Sequence, residues 1–211
     1  TAVSEREVIR QGRGLKFNLT FTPRPTLKRR LAEPRPLVAV LREEGTNGDV
    51  ELAWAAEAAG FSAIDVAMTD LASGQFKLDR VVGILMAGGF TYKDAGGAGR
   101  GQAFVIKNNP CLRKQFSDFR QRPDTFMLGI CNGFQAMNEL GLFLGAMPKE
   151  RQPSLISNLS RRFESRMIMV KVQPGPSIFF RGMTDSVIGI WVAHKEGRLY
   201  CHNAETLQYI Q

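Results

Sequence analysis

Histidine is scarce in this chain, with His194 and His202 the two examples among 211 residues. Cysteine is nearly as rare: Cys111, Cys131 and Cys201 are far apart and form no C-x-x-C pair. An odd set of distant cysteines excludes a zinc finger or ribbon and argues against a disulfide framework, so no metal is expected and a reducing, cytoplasmic compartment is. No apolar run approaches the roughly 20 residues of a membrane-spanning helix. The opening TAVSEREVIR has neither the apolar core nor the cleavage site of a signal peptide. The glycine-rich stretch LMAGGFTYKDAGGAGRGQ, Leu85–Gln102, contains no GK[ST], which excludes a P-loop, and Gln102 stands where G-x-G-x-x-G requires its third glycine. Internal repeats and low-complexity tracts are absent as well.

Acidic charge is also in short supply, since 28 Lys and Arg face 20 Asp and Glu for a net charge of +8. Residues 1–36 carry +6 of this, so the remainder is nearly balanced. A basic leader without interleaved aromatics or a binding motif reads as a solvated linker or surface strap rather than a nucleic-acid arm. Four prolines between Leu15 and Pro36 fit an extended segment. The expected organisation is a basic, proline-containing linker over residues 1–36 and a globular domain over 37–211.

The globular part opens with LVAVLRE, an almost continuous apolar run of the kind buried on both faces of a sheet. VELAWAAEAA predicts a helix ending near Gly60, FSAIDVAMT a second strand, and VVGILMAGG a third that reaches Gly89. Helices are predicted near Gln102–Lys107 and Cys111–Arg120, then a strand over TFMLGI and a helix over NGFQAMNELGLF. Strands alternating with helices predict an α/β fold with a mostly parallel central sheet flanked by helices. Beyond Ser157 the segments RFESRMIMVKVQ, SVIGIWVAH and RLYCHN predict a β-rich C-terminal portion. Reactive groups on such a sheet gather at the carboxyl ends of strands, which here means EEGTNGD, the Gly88 loop and Cys131.

Cys131 sits in G-x-C-x-G at a strand-to-helix junction, the form of a nucleophile elbow. Gly129 and Gly133 then leave room for neighbouring backbone. The helix N-terminus favours the thiolate, and the Asn132 N–H points at a developing oxyanion. A buried structural cysteine in a chance glycine setting is the alternative, and the local pattern alone leaves both open. Cys111 and Cys201 have no such setting and read as structural.

Five blocks in order, VAVLREEGTNGDVE, AGGFTYKDAGGAGRG, RPDTFMLGICNGFQ, NLSRRFESR and AHKEGR, make the resemblance specific. From about Leu15 to Gln211 the chain resembles the glutaminase domain of phosphoribosylformylglycinamidine synthases, enzymes of purine biosynthesis. The resemblance implies a class I glutamine amidotransferase-like, flavodoxin-like three-layer fold. Glutamine is then the substrate, Cys131 the nucleophile, and a synthetase domain of the same or a partner chain receives the ammonia. ATP and magnesium belong to that synthetase domain, with no cofactor in this one. Backbone N–H groups of Gly89, Phe90 and Asn132 would hold the oxyanion, and Gln135 would help bind glutamine. Read from its helix position alone, Gln135 is an ordinary solvent-facing residue.

Thiol catalysis of this kind needs a base, and a carboxylate to orient it. His194-Lys195-Glu196 has the required residue types, yet it aligns with a His-Gly-Glu-Gly segment near the family's active site. The family's triad His and Glu belong to a later His-Pro-Glu that is absent from these residues. His194 and Glu196 are therefore pocket residues or an alternative triad pair, His202 is structural, and the domain is expected to be incomplete at its C-terminus with weak or no activity on its own. The other reading is a catalytically inactive homologue serving as an interaction or structural module. Lys93 and Lys195 replace small residues of the family pattern, and Phe134 stands where a second cysteine often occurs. Asn158, Arg161, Arg162, Glu164 and Arg166 form a polar cluster that reads equally as a domain contact, a glutamine-site wall or a charged strand edge.

Overall fold

The computed structural model describes residues 14–23, 34–142 and 152–210. They divide into two compact bodies: one holds the described residues up to 23 together with 163–194, and the other holds 34–142, 152–162 and 195–210. This division does not follow the expected boundary at residue 36. The leader stretch around Asn18 is built into the first body through paired backbone bonds with Val187 (3.0 and 2.7 Å), and Thr20 N–H donates to the Ser186 hydroxyl at 3.1 Å. The rest of the expected leader, apart from residues 34–36, lies outside the described residues.

The larger body is an α/β layered unit. β1 (Leu37–Arg42) is followed by the short β2 (Thr46–Asn47) and by α1 (Asp49–Ala58). β3 (Ser62–Ala67) runs straight into α2 (Met68–Ser73). β4 (Gly83–Met86) and β5 (Gly88–Gly89) precede a short 3-10 turn at Thr91–Asp94. Two helices, α3 (Arg100–Asn108) and α4 (Pro110–Gln121), lead to β6 (Phe126–Gly129) and α5 (Asn132–Glu139). The four main strands form one parallel sheet in the order β3-β1-β4-β6. From β1 the chain moves outward to β3 and then returns to the other side at β4. The crevice beyond the carboxyl ends of β1 and β4 is thus the topological switch point.

The apolar runs of β1 and β4 bury because helices cover both faces. Val38 and Val40 pack on one side with Ala56 and Leu85, and Ala39, Leu41, Ile84 and Met86 on the other with Leu112, Phe116 and Ile106. α4 is amphipathic through Leu112, Phe116 and Phe119, all buried at helical spacing. It starts where Asn109 accepts the Leu112 N–H at 3.1 Å and Pro110 fills the first turn. Each such side chain contributes about 1.5–3 kcal/mol.

Several boundaries differ from the sequence reading. The third strand does not run on to Gly89: after Met86 the chain leaves the sheet, and β5 pairs antiparallel with β2. Met68 and Thr69, read as strand, open α2. β7 (Ser154–Ile156) pairs with β10 (Arg198–Tyr200), and the chain then forms α6 (Ala204–Ile210), which no strand pattern announced. Asn203 caps α6 by accepting the Thr206 N–H at 2.8 Å.

The smaller body is an antiparallel ribbon of β8 (Glu164–Lys171) and β9 (Val187–His194), joined through a loop with a 3-10 turn at Ile178–Phe180. Among the described residues, no helix is long and apolar enough to cross a membrane.

Candidate active site

β6 delivers Cys131 to the carboxyl end of the parallel sheet, beside the end of β4. The Ile130 N–H donates to Met86 O at 3.0 Å, keeping the chain on the sheet until the residue before the cysteine. Cys131 itself adopts φ 49° and ψ −111°, a conformation forbidden to most side chains. Such a residue costs about 1–3 kcal/mol and persists only where its surroundings hold it. Here the holding is steric. A Cβ on Gly133 would lie 2.1 Å from Met86 O, and one on Gly129 would lie 2.6 Å from Phe134 Cα. The helix therefore begins directly against the end of β4, and the turn between must be sharp.

Two backbone donors meet at the sulfur, the N–H groups of Gly89 and Asn132. Gly89 reaches it because β5 has left the sheet to pair with β2. At φ 117°, a Cβ there would lie 2.4 Å from Gly45 O. The Phe90 N–H does not join them, since it donates to Gly45 O at 2.8 Å and its ring is exposed. Gly89 and Asn132, two of the three expected oxyanion donors, therefore face the sulfur, while the Phe90 N–H is engaged by Gly45 O.

The thiol's pKa is pushed up, mainly because protein packed around the sulfur disfavours its charge. The two N–H groups pull it down, and the Asp94 carboxylate adds to the rise. The helix-end N–H of Asn132 thus acts on the sulfur in the expected direction, against the effect of the surrounding protein.

Beneath the cysteine lies a buried polar network. Asn132, 1% exposed, accepts the Thr91 N–H at 3.1 Å and donates to Asp94 Oδ1 at 3.1 Å and Gln135 Oε1 at 3.2 Å. Thr91 in turn shares a hydroxyl–hydroxyl bond of 3.2 Å with Thr46. Gln135 is buried, not solvent-facing, and its Nε2 donates to Glu196 O at 2.8 Å. Both polar ends of Gln135 therefore meet protein partners, and the side chain serves as a strut for the 195–197 segment. Asn158 holds the same segment from the other side, through its N–H to Lys195 O (2.9 Å) and its Oδ1 from the Gly197 N–H (3.2 Å). Thr91, Asp94 and Asn132 all lie in blocks that carry the family resemblance, but nothing in those blocks assigned a role to Thr91, Asp94 or the Asn132 side chain. The available signal was polar residues inside a glycine-rich loop next to a buried strand.

The other sequence candidates fall as follows. Glu196 belongs to the body of the nucleophile, with its carboxylate close to Gly97 and 3.9 Å from Lys195 Nζ. His194 ends β9 in the smaller body, in register with Glu164. His202 is structural, bonded to the Ser154 hydroxyl at 2.8 Å and edge-on to Tyr200. Lys93 points to solvent and pairs with Glu44 at 3.4 Å. Tyr92 donates its hydroxyl to Glu43 at 3.2 Å, and burial together with that carboxylate holds its pKa well above the usual phenol range. Among the described residues, no group of three or more His, Cys, Asp and Glu is placed to hold a metal ion. A cavity of 330 Å³ lined by Leu78, Cys111, Gln115 and Phe119 lies on other elements and does not include Cys131.

A strained cysteine at the carboxyl end of a parallel sheet, with two N–H donors on its sulfur, is the form of an acyl-transfer site. The model of the CobB/CobQ-like glutamine amidotransferase domain matches residues 35–211. The chain belongs to that family. It is 42% identical over 205 residues to the phosphoribosylformylglycinamidine synthase of Dictyostelium discoideum, covering 95% of this chain and 15% of that protein. It is 41% identical over 207 residues to the Homo sapiens enzyme of the same name, covering 92% of this chain and 15% of that one. A relative in Arabidopsis thaliana, named as a probable chloroplastic/mitochondrial phosphoribosylformylglycinamidine synthase, is 41% identical over 93% of this chain and 15% of its own length. The chain thus spans about 15% of the relatives it matches. Among solved structures, that of PurLQS from Thermotoga maritima is similar with a TM-score of 0.66 and 25% identity, over 81% of this chain and 72% of that one. This amidotransferase family likeness agrees with the parallel sheet and flanking helices described above.

Proposed function

We propose that this amidotransferase domain is the glutamine-hydrolysing part of a phosphoribosylformylglycinamidine synthase, with Cys131 as its nucleophile. The observation that carries the reading is the convergence of the Gly89 and Asn132 N–H groups on a cysteine held at φ 49°. The sulfur attacks the side-chain carbonyl carbon of glutamine, and the carbonyl oxygen takes the negative charge. An oxyanion formed beside the sulfur falls within reach of the same two donors, which stabilise the addition step. The intermediate collapses by breaking the C–N bond, and the leaving nitrogen takes up a proton and departs as ammonia. Water then cleaves the thioester, releasing glutamate and restoring the thiol.

The protein packed around the sulfur, and to a smaller degree Asp94, raise the thiol's pKa. A base must therefore remove the proton as glutamine binds. His194 and Glu196 remain candidates for pocket residues or for an alternative pair. The ammonia passes to a synthetase domain of the same or a partner chain, and ATP and magnesium belong to that domain by the family resemblance; the relatives are several times longer than the matched part, which leaves room for such a domain. The compartment proposed is the cytoplasm, and the Arabidopsis name marks an organelle as the alternative.

Mixing the chain with glutamine and quenching in acid tests the reading. Slow labelling of Cys131 by a glutamine-like electrophile, suppressed by glutamine and absent from Cys131→Ser, is expected, and any glutamyl adduct formed from glutamine itself should be confined to Cys131. No adduct, with Cys131 reacting no faster than Cys111 or Cys201 toward a glutamine-like electrophile, would favour an inactive structural module instead.

A further inference from the structure

The loop that carries Gly89 toward the sulfur is built against its own backbone preferences. Tyr92, Lys93, Asp94 and Ala98 all have positive φ, between 50° and 57°. Non-glycine residues avoid this region, so four of them in one loop need external support. Part of that support comes from the loop after β1, where the Tyr92 N–H donates to Glu44 O at 2.9 Å. At the start of the loop the Thr91 N–H donates to Asn132 Oδ1, and toward its far end two donors converge on one oxygen. Asp94 Oδ1 accepts both the Gly99 N–H and Asn132 Nδ2, each at 3.1 Å.

These two partners are the points where the loop meets the nucleophile helix. Gly99 packs so closely on α5 that a Cβ would lie 2.4 Å from the Ala136 nitrogen. Asn132 presents its backbone N–H to the sulfur while its buried carboxamide faces Asp94 and Thr91. The carboxamide has one orientation that satisfies both neighbours: oxygen toward the Thr91 N–H and nitrogen toward an acceptor at position 94. Removing the acceptor leaves the buried Gly99 N–H unpaired, reduces Asn132 Nδ2 to its bond with Gln135 Oε1, and releases the far end of the loop.

We propose that Asp94 is a positioning residue, which acts through the Asn132 carboxamide and the Gly99 N–H to hold the Gly89 loop in register with Cys131. The inference rests on Cys131 being the glutamine nucleophile. Asp94 also faces the thiol with its charge. The neighbouring charges have other partners: Lys93 pairs with Glu44, Glu43 accepts from Tyr92, Arg100 reaches Glu139 and Gly96 O, and Glu196 lies nearest Lys195. Asp94 is the carboxylate that opposes ionisation of Cys131.

The test compares wild type, Asp94→Asn and Asp94→Ala by intact mass after timed exposure to a glutamine-like electrophile, across a pH series and with graded glutamine. Thermal melting checks that each variant is folded. Asp94→Asn keeps an acceptor oxygen but loses the charge; Asp94→Ala loses both. Protection of Cys131 by glutamine should weaken about tenfold in Asp94→Ala and stay within about threefold of wild type in Asp94→Asn. The pH midpoint of labelling should move down in Asp94→Asn, a change that a merely structural residue would not produce. Wild-type protection in Asp94→Ala would overturn the proposal, as would Asp94→Asn being as poorly protected as Asp94→Ala, or an unmoved midpoint. Failure of the underlying reading shows separately, as unselective and unprotected labelling in the wild type itself.

Discussion

The two bodies of this chain solve the burial problem differently. The α/β body buries Leu41, Met68, Leu71, Ile84, Ile106 and Leu112 almost completely between sheet and helices. The β8–β9 ribbon leaves Met167, Ile190 and Trp191 exposed at 41%, 40% and 62%. Within its own body the ribbon has few apolar side chains fully buried among the described residues, so its pairing bonds carry a larger share of its order than apolar burial does. Strain can be stored only where packing resists its release. The strained nucleophile accordingly lies in the body with the dense core.

Substitutions can sharpen this contrast. Gly133→Ala pushes a Cβ onto Met86 O and should cost about 4 kcal/mol or more, or prevent folding, as read from denaturant unfolding. Phe116→Ala opens a cavity under the sheet and should cost about 3–4 kcal/mol in the same measurement. Trp191→Ala, on the exposed ribbon, should change stability by no more than about 0.5 kcal/mol. A Trp191→Ala loss as large as that of Phe116→Ala would erase the distinction between the bodies. The nucleophile has its own signature, a raised pKa. Its thiol persists to higher pH, so labelling of Cys131 should be slow near neutrality and rise on the alkaline side, with a midpoint above that of an ordinary free thiol.

Much of the α/β body was legible in the sequence for physical reasons. LVAVLRE and the apolar centre of VVGILMAGG are long enough runs to be buried on both faces. The spacing of Leu112, Phe116 and Phe119 leaves no strand alternative. Gly129 and Gly133 around Cys131 announced the turn, because only a close backbone approach needs glycine at both places. The support beneath it was not legible. Asn132 meets Asp94 and Thr91 across 38 and 41 residues of chain, and neither distance corresponds to a local period. The departure of β5 to pair with β2, which turns the Phe90 N–H to Gly45, is likewise decided by a partner distant in sequence. Gln135 looked solvent-facing because the 195–197 segment that covers it comes some 60 residues later.

The measurement that tests the central claim most directly is intact mass of the wild-type chain after a glutamine-like electrophile, with and without excess glutamine. The account predicts a single adduct on Cys131 that glutamine suppresses, with Cys111 and Cys201 unmodified. Equal, unprotected labelling of all three cysteines would contradict it, since the turn would then hold a thiol but no glutamine site.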